Sequence, residues 1–187
     1  DAFNASHGLY YCGFLAELDP DGNLAYLTFV GIGTINDVAI DEDGNVVFGG
    51  ICGDRFPATN GSFTFSDRGA FIAKMNANGT DLLYSAIIGR TYSDTVISVA
   101  VGPDGKMVLT GYTTYEDFHT TANALQPEFG GSTDAFLVVV DTEGFGYSTF
   151  IGYEMSDSQR DVVADRDGTV LITGFTRSDD FYTTRGA

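Results

Sequence analysis

Asp19-Pro20-Asp21-Gly22, Asp41-Glu42-Asp43-Gly44 and Asp165-Arg166-Asp167-Gly168 place carboxylates at alternate positions before a glycine. This is the opening half of a calcium loop, in which hard oxygen ligands surround a divalent cation. A full loop adds a third acidic position and a bidentate Glu further on, and neither follows here. A hairpin turn explains the pattern with less. The first Asp bonds back to the backbone, Pro presets φ, and Gly takes the left-handed conformation. The same turn fits Asn76-Ala77-Asn78-Gly79, Gly102-Pro103-Asp104-Gly105 and, in degraded form, Asp141-Thr142-Glu143-Gly144. No cofactor is expected, and calcium is the alternative.

Other groups with chemical potential are scattered. "YSDT" (92–95) and "MSDS" (155–158) recur. Their Asp94 and Asp157 are expected to bond local backbone at the start of a strand. The alternative is a cation site facing a central channel. Cys12 and Cys52 are a candidate disulfide in an oxidising compartment, or ordinary thiols. His7 and His119 lack zinc-ligand spacing. "DRFPATN", "EDFHTTAN" and "DDFYTTRG" each carry one phenylalanine, Phe56, Phe118 and Phe181. A repeated apolar loop residue serves the repeat's own core. The alternative is a sugar-binding surface of Phe56, Tyr112, Phe118, Phe181 and Tyr182, joined by Tyr92, Tyr115 and Phe129. Sequons at Asn4, Asn60 and Asn78 are potential glycan acceptors. No G-x-S-x-G, H-E-x-x-H or P-loop is present, so the chain is read as a non-enzyme.

The elements that position these groups follow from a repeat. Gly44 and Gly105 are 61 residues apart, and Gly105 and Gly168 are 63 apart. Three copies of ~62 residues fill the 187-residue chain. Each copy holds four apolar runs of five to eight residues, rich in Val, Ile, Phe and Tyr. That is strand chemistry, and no stretch of helical period competes. Four antiparallel strands per copy predict an all-β protein of β-propeller blades. The net charge of −17, with only nine Lys plus Arg, argues against nucleic acid and anionic lipid as partners. No apolar run reaches the length of a membrane-spanning helix, so no membrane insertion is expected.

The repeat resembles the bacterial SBBP-type β-propeller family. The resemblance is carried by "DAFLVVVDTEGFGYSTFIG" with "VLITGFTRSDDFYTT", by "GFLAELDPDGNLAYLTFVG" and by "VLTGYTTYEDFHTTANALQ". It covers essentially the whole chain. It implies a propeller in secreted or cell-surface bacterial proteins, and it implies no catalytic residue.

The phase of the repeat divides the single 1–187 domain into an outer strand pair (13–31), a blade (37–89), a second blade (97–152) and an inner strand pair (161–174). Split half-blades therefore stand at the two termini. The chain starts at Asp1, without an initiating Met or signal peptide, as a processed, trimmed or partial product would. A bare sheet edge invites pairing. The expected function is an extracellular structural or adhesive module whose partners are copies of itself. Head-to-tail strand complementation would close a ring or run on as a filament. A module that binds surface glycans or a protein, and a fragment of a larger secreted protein, are the alternatives.

Overall fold

The computed structural model describes residues 3–4, 11–54, 56–59, 64–141 and 144–184. It is all-β. Eleven strands follow in order, β1 (Cys12–Leu18), β2 (Leu24–Ile40), β3 (Val46–Cys52), β4 (Gly69–Met75), β5 (Leu82–Ile87), β6 (Thr95–Val101), β7 (Met107–Thr113), β8 (Asp134–Asp141), β9 (Gly144–Ile151), β10 (Asp157–Ala164) and β11 (Val170–Thr176). They form antiparallel sheets of order β1-β2-β3-β4-β5, β6-β7-β8-β9 and β10-β11. No helix among the described residues is long and apolar enough to cross a membrane.

The acidic turns close the hairpins. A carboxylate oxygen of Asp41 accepts the N–H groups of Asp43 and Asn45 at 2.9 and 2.8 Å. Asp19 does the same for Asp21 and Asn23. Gly22, Gly44, Gly105 and Gly168 take φ of 76–86°, the left-handed region that favours glycine.

One irregularity recurs in all three sheets. The β2–β3, β6–β7 and β10–β11 ladders each slip by one residue, between Ile35 and Asp37, between Val96 and Ser98, and between Gln159 and Asp161. Asn36, Ile97 and Arg160 are the extra residues of these bulges. Opposite each bulge stands a glycine, Gly50, Gly111 or Gly174. A Cβ there would lie 2.0 Å from the Thr34 carbonyl oxygen, 2.0 Å from that of Thr95 and 2.4 Å from that of Ser158. The repeated Gly thus permits close backbone approach beside a bulge.

The sheets stack face to face. Strand β6 lies against β2 and β3, and β10 lies against β6 and β7. Ile72, Val47 and Tyr84 of one sheet share a buried cluster with Leu109, Phe136 and Phe150 of the next. Leu15 and Val30 of the first hairpin pack with Phe48, Phe71 and Met75. Each such large apolar side chain contributes about 1.5–3 kcal/mol on burial.

One expectation needs correction. The outer pair 13–31 and the blade 37–89 are not separate sheets, because β2 runs unbroken from Leu24 to Ile40. Its first half pairs with β1 and its second half with β3. In the later copies Asp94 and Asp157 fold the corresponding connection into a turn, whereas Gly33 stands at that position in the first copy and the strand passes through Gly31 and Gly33 at φ of 100° and 144°.

Candidate functional site

Asp94 and Asp157 each cap a loop. One Asp94 oxygen accepts the N–H groups of Arg90 and Thr91 at 2.6 and 2.9 Å, and the other accepts the Thr113 hydroxyl at 2.6 Å. Its acceptor capacity goes to its own loop and to Thr113 at the end of β7. Asp157 accepts the Tyr153 N–H at 2.7 Å and the Ser178 hydroxyl at 2.8 Å through Oδ2. Its Oδ1 is buried without a protein partner. Nearby Asp134 is wholly buried and also has an unpartnered Oδ1, while its Oδ2 accepts from Gly130 and Gln126. Burial pushes the Asp134 carboxyl upward, the Gly130 N–H opposes this, and the Asp157 charge adds to the rise. Among the described residues, no three His, Cys, Asp or Glu side chains converge as a metal site.

Cys12 is half-buried and Cys52 buried, and both are free thiols in this structure. Burial pushes the Cys52 thiol up to about 12, so it is a poor nucleophile at neutral pH. His119 stacks beside Phe65 and Phe145. His7 and the sequon at Asn60 lie outside the described residues, as do Ala5 and Ser6 of the first sequon.

The aromatic residues proposed from sequence do not share one exposed face. Phe56 and Phe118 are buried, Tyr112 and Phe181 are half-buried, and Tyr182 is exposed. Phe56 packs on Phe71 with ring centroids 4.3 Å apart, and Phe118 stacks on Phe136 at 4.6 Å. The same loops strap onto the outermost strand. Thr59 and Thr121, three residues beyond each Phe, donate main-chain N–H groups to the carbonyls of Ser85 and Ser148. The Ser85 hydroxyl reaches the Pro57 carbonyl, and that of Ser148 reaches the His119 carbonyl.

Two unfilled surfaces stand out. At one end, the β1–β2 hairpin exposes Phe14, Leu18, Leu24 and Leu27, and a groove of about 940 Å³ runs between the β1 edge and the second half of β2. At the other end, β11 exposes Leu171 and Phe175 beside a cavity of about 250 Å³ lined by Gly174, Thr176, Gln159 and Phe181. Both Gln159 amide atoms are buried there without a protein partner.

Sequence reasoning missed Phe14, Ser98, Asp134 and the bulge glycines. The signal for the glycines is their recurrence in the runs "VVFGG", "MVLTG" and "VLITG". No family model matches the chain, and no curated protein matches it.

Proposed function

We propose that this chain is a non-enzymatic extracellular structural module of propeller-type blades that self-associates by completing its split blade. The observation that carries the reading is the pair of unfilled sheet surfaces at opposite ends of one stack. β1 and β11 each present an unpaired edge, and edges of this kind template strand addition. The adjacency of inner strands β2, β6 and β10 supports a propeller-type arrangement. The resemblance to SBBP-type repeats supports the extracellular setting and a structural or adhesive role. Self-association by a heterologous contact closes into a ring or extends as a filament.

The test is the assembly state of the purified chain from nanomolar to about 100 µM, by mass photometry and light scattering with negative-stain images. Discrete oligomers or filaments support the reading. A strictly monomeric chain across that range overturns it.

A further inference from the structure

We infer that Phe14 of a second copy seats between Gly174 and Phe181, with its β1 pairing antiparallel to β11 in the register Phe14 opposite Gly174. This deepens the self-association reading and rests on it.

The two complete sheets supply the template. Phe71 stands opposite Gly50 and Phe136 opposite Gly111, on neighbouring second and third strands. The Phe136 ring comes within 2.2 Å of where a Gly111 Cβ would stand, so the ring lies on the glycine. Phe118 and Phe56 then pack on these rings from the loop. The terminal half-sheet has Gly174 and Phe181 in the corresponding places, and a cavity between them. A cavity of ~150 Å³ already admits a benzene-sized group, and this one measures about 250 Å³.

The opposite end has the missing ring. Phe14 is 60% exposed, whereas its counterparts Phe71 and Phe136 are 1% and 0% exposed. Inner-strand burial repeats the pattern. Val38 is 51% exposed, while Val99 and Val162 at the matching position are 5% and 2%. These two are covered by the preceding sheet, and for Val38 that sheet would be the second copy's C-terminal pair in the groove beside β1. The strap also has an open place. Phe181 and Thr184 keep the spacing of Phe118 and Thr121, which places Thr184 at the Leu27 main chain of the second copy.

The complementary gaps favour a copy of this chain as the occupant, since one end exposes the Phe14 ring and the other holds the cavity beside Gly174 and Phe181. The C-terminal pair brings Arg160, whose counterpart Asn36 reaches across to the Val96 carbonyl at 2.7 Å.

The test is register-specific crosslinking. In the inferred register Thr176 faces Cys12, as Thr113 faces Asp134 and Cys52 faces Gly69. Directly opposed strand residues lie within disulfide reach. The Thr176→Cys chain, oxidised in its assembled state, is expected to form disulfide-linked dimers or ladders that Cys12→Ser abolishes. Phe175→Cys, one residue out of register, is expected to yield at least about tenfold less product. Phe14→Asp alters an exposed residue, so the chain keeps its circular dichroism spectrum while assembly weakens at least about 100-fold.

Assembly without the Cys12 crosslink, or with stronger linkage at position 175, overturns the register and leaves self-association standing. A crosslink at monomer mass shows closure within one chain and overturns the second copy as occupant. A chain that never assembles overturns both.

Discussion

The Ser98 hydroxyl lies 2.8 Å from a carboxylate oxygen of Asp37 and 2.8 Å from one of Asp161, so one side chain links strands β2, β6 and β10 of three sheets. The Asp37 oxygen also accepts the Val99 N–H at 2.8 Å, and the Ser98 oxygen accepts the Val162 N–H at 3.3 Å. At the first two bulges, the residue just past the bulge thus meets the backbone of the next sheet. The hydroxyl proton serves one carboxylate at a time and holds two negative groups near each other. Ser98→Ala removes that mediator and leaves the carboxylates facing across a gap. Stability is expected to fall by about 1–3 kcal/mol, read as a lower urea midpoint with an unchanged slope.

The bulge glycines make a steeper prediction. A Cβ on residue 111 would meet the Thr95 carbonyl at 2.0 Å and the Phe136 ring at 2.2 Å. Neither neighbour has room to move, since both belong to buried strands. Gly111→Ala is expected to cost about 3 kcal/mol or more, measured by thermal and urea unfolding. Gly105→Ala meets no atom within 4 Å and pays only for its φ of 76°. It is expected to cost about 1 kcal/mol.

Much of the framework was legible in the sequence, and the reasons are local. Strand type followed from β-branched and aromatic runs, and the turns from Asp, Pro and Gly at fixed offsets. The exception is the Leu24–Ile40 strand, where the first copy has "GIGTIND" (31–37) in place of the Ser-Asp motif of the other two. The relay through Asp37, Ser98 and Asp161 was not legible. It depends on strands of different sheets coming together, and no pattern within one strand carries that. Phe14 looked like any apolar strand residue, and only its exposure beside the burial of Phe71 and Phe136 sets it apart.

The buried Asp134 predicts a pH dependence. Its carboxyl is held above its ordinary value, chiefly by burial and then by the Asp157 charge, against the Gly130 N–H. The folded chain therefore binds this proton more tightly than the unfolded chain does. That contribution is fully present below the ordinary carboxylate value of ~3.9 and is lost as pH rises through the folded value. Asp134→Asn keeps an acceptor for Gly130 and removes the charge. The variant is expected to gain roughly 1 kcal/mol over the parent at pH 7 and to lose that advantage towards pH 4. Urea unfolding across this range measures it.

Lys74 predicts a variant that tightens assembly. Its ammonium lies 2.7 Å from Asp41, with both side chains largely buried. Burial pushes the Asp41 carboxyl up, but the hydrogen bonds from Lys74 and Asn45 more than offset this and hold it below its ordinary value. In the inferred intermolecular sheet, Glu17 takes the place of Lys74 and Asp165 takes that of Asp41. Two carboxylates then meet at the turn end of the new sheet, a like-charge contact that weakens it. Glu17→Lys converts the contact into the ion pair of the complete sheet. Glu17 is exposed in the single chain, so the exchange leaves the fold unchanged. Assembly is expected to tighten about tenfold, with less gain at high salt. Concentration-dependent mass photometry measures the shift, and Glu17→Gln is expected to fall between the two. If the register were displaced by one residue, Glu17 would face the opposite side of the sheet, and Glu17→Lys would bring no such gain.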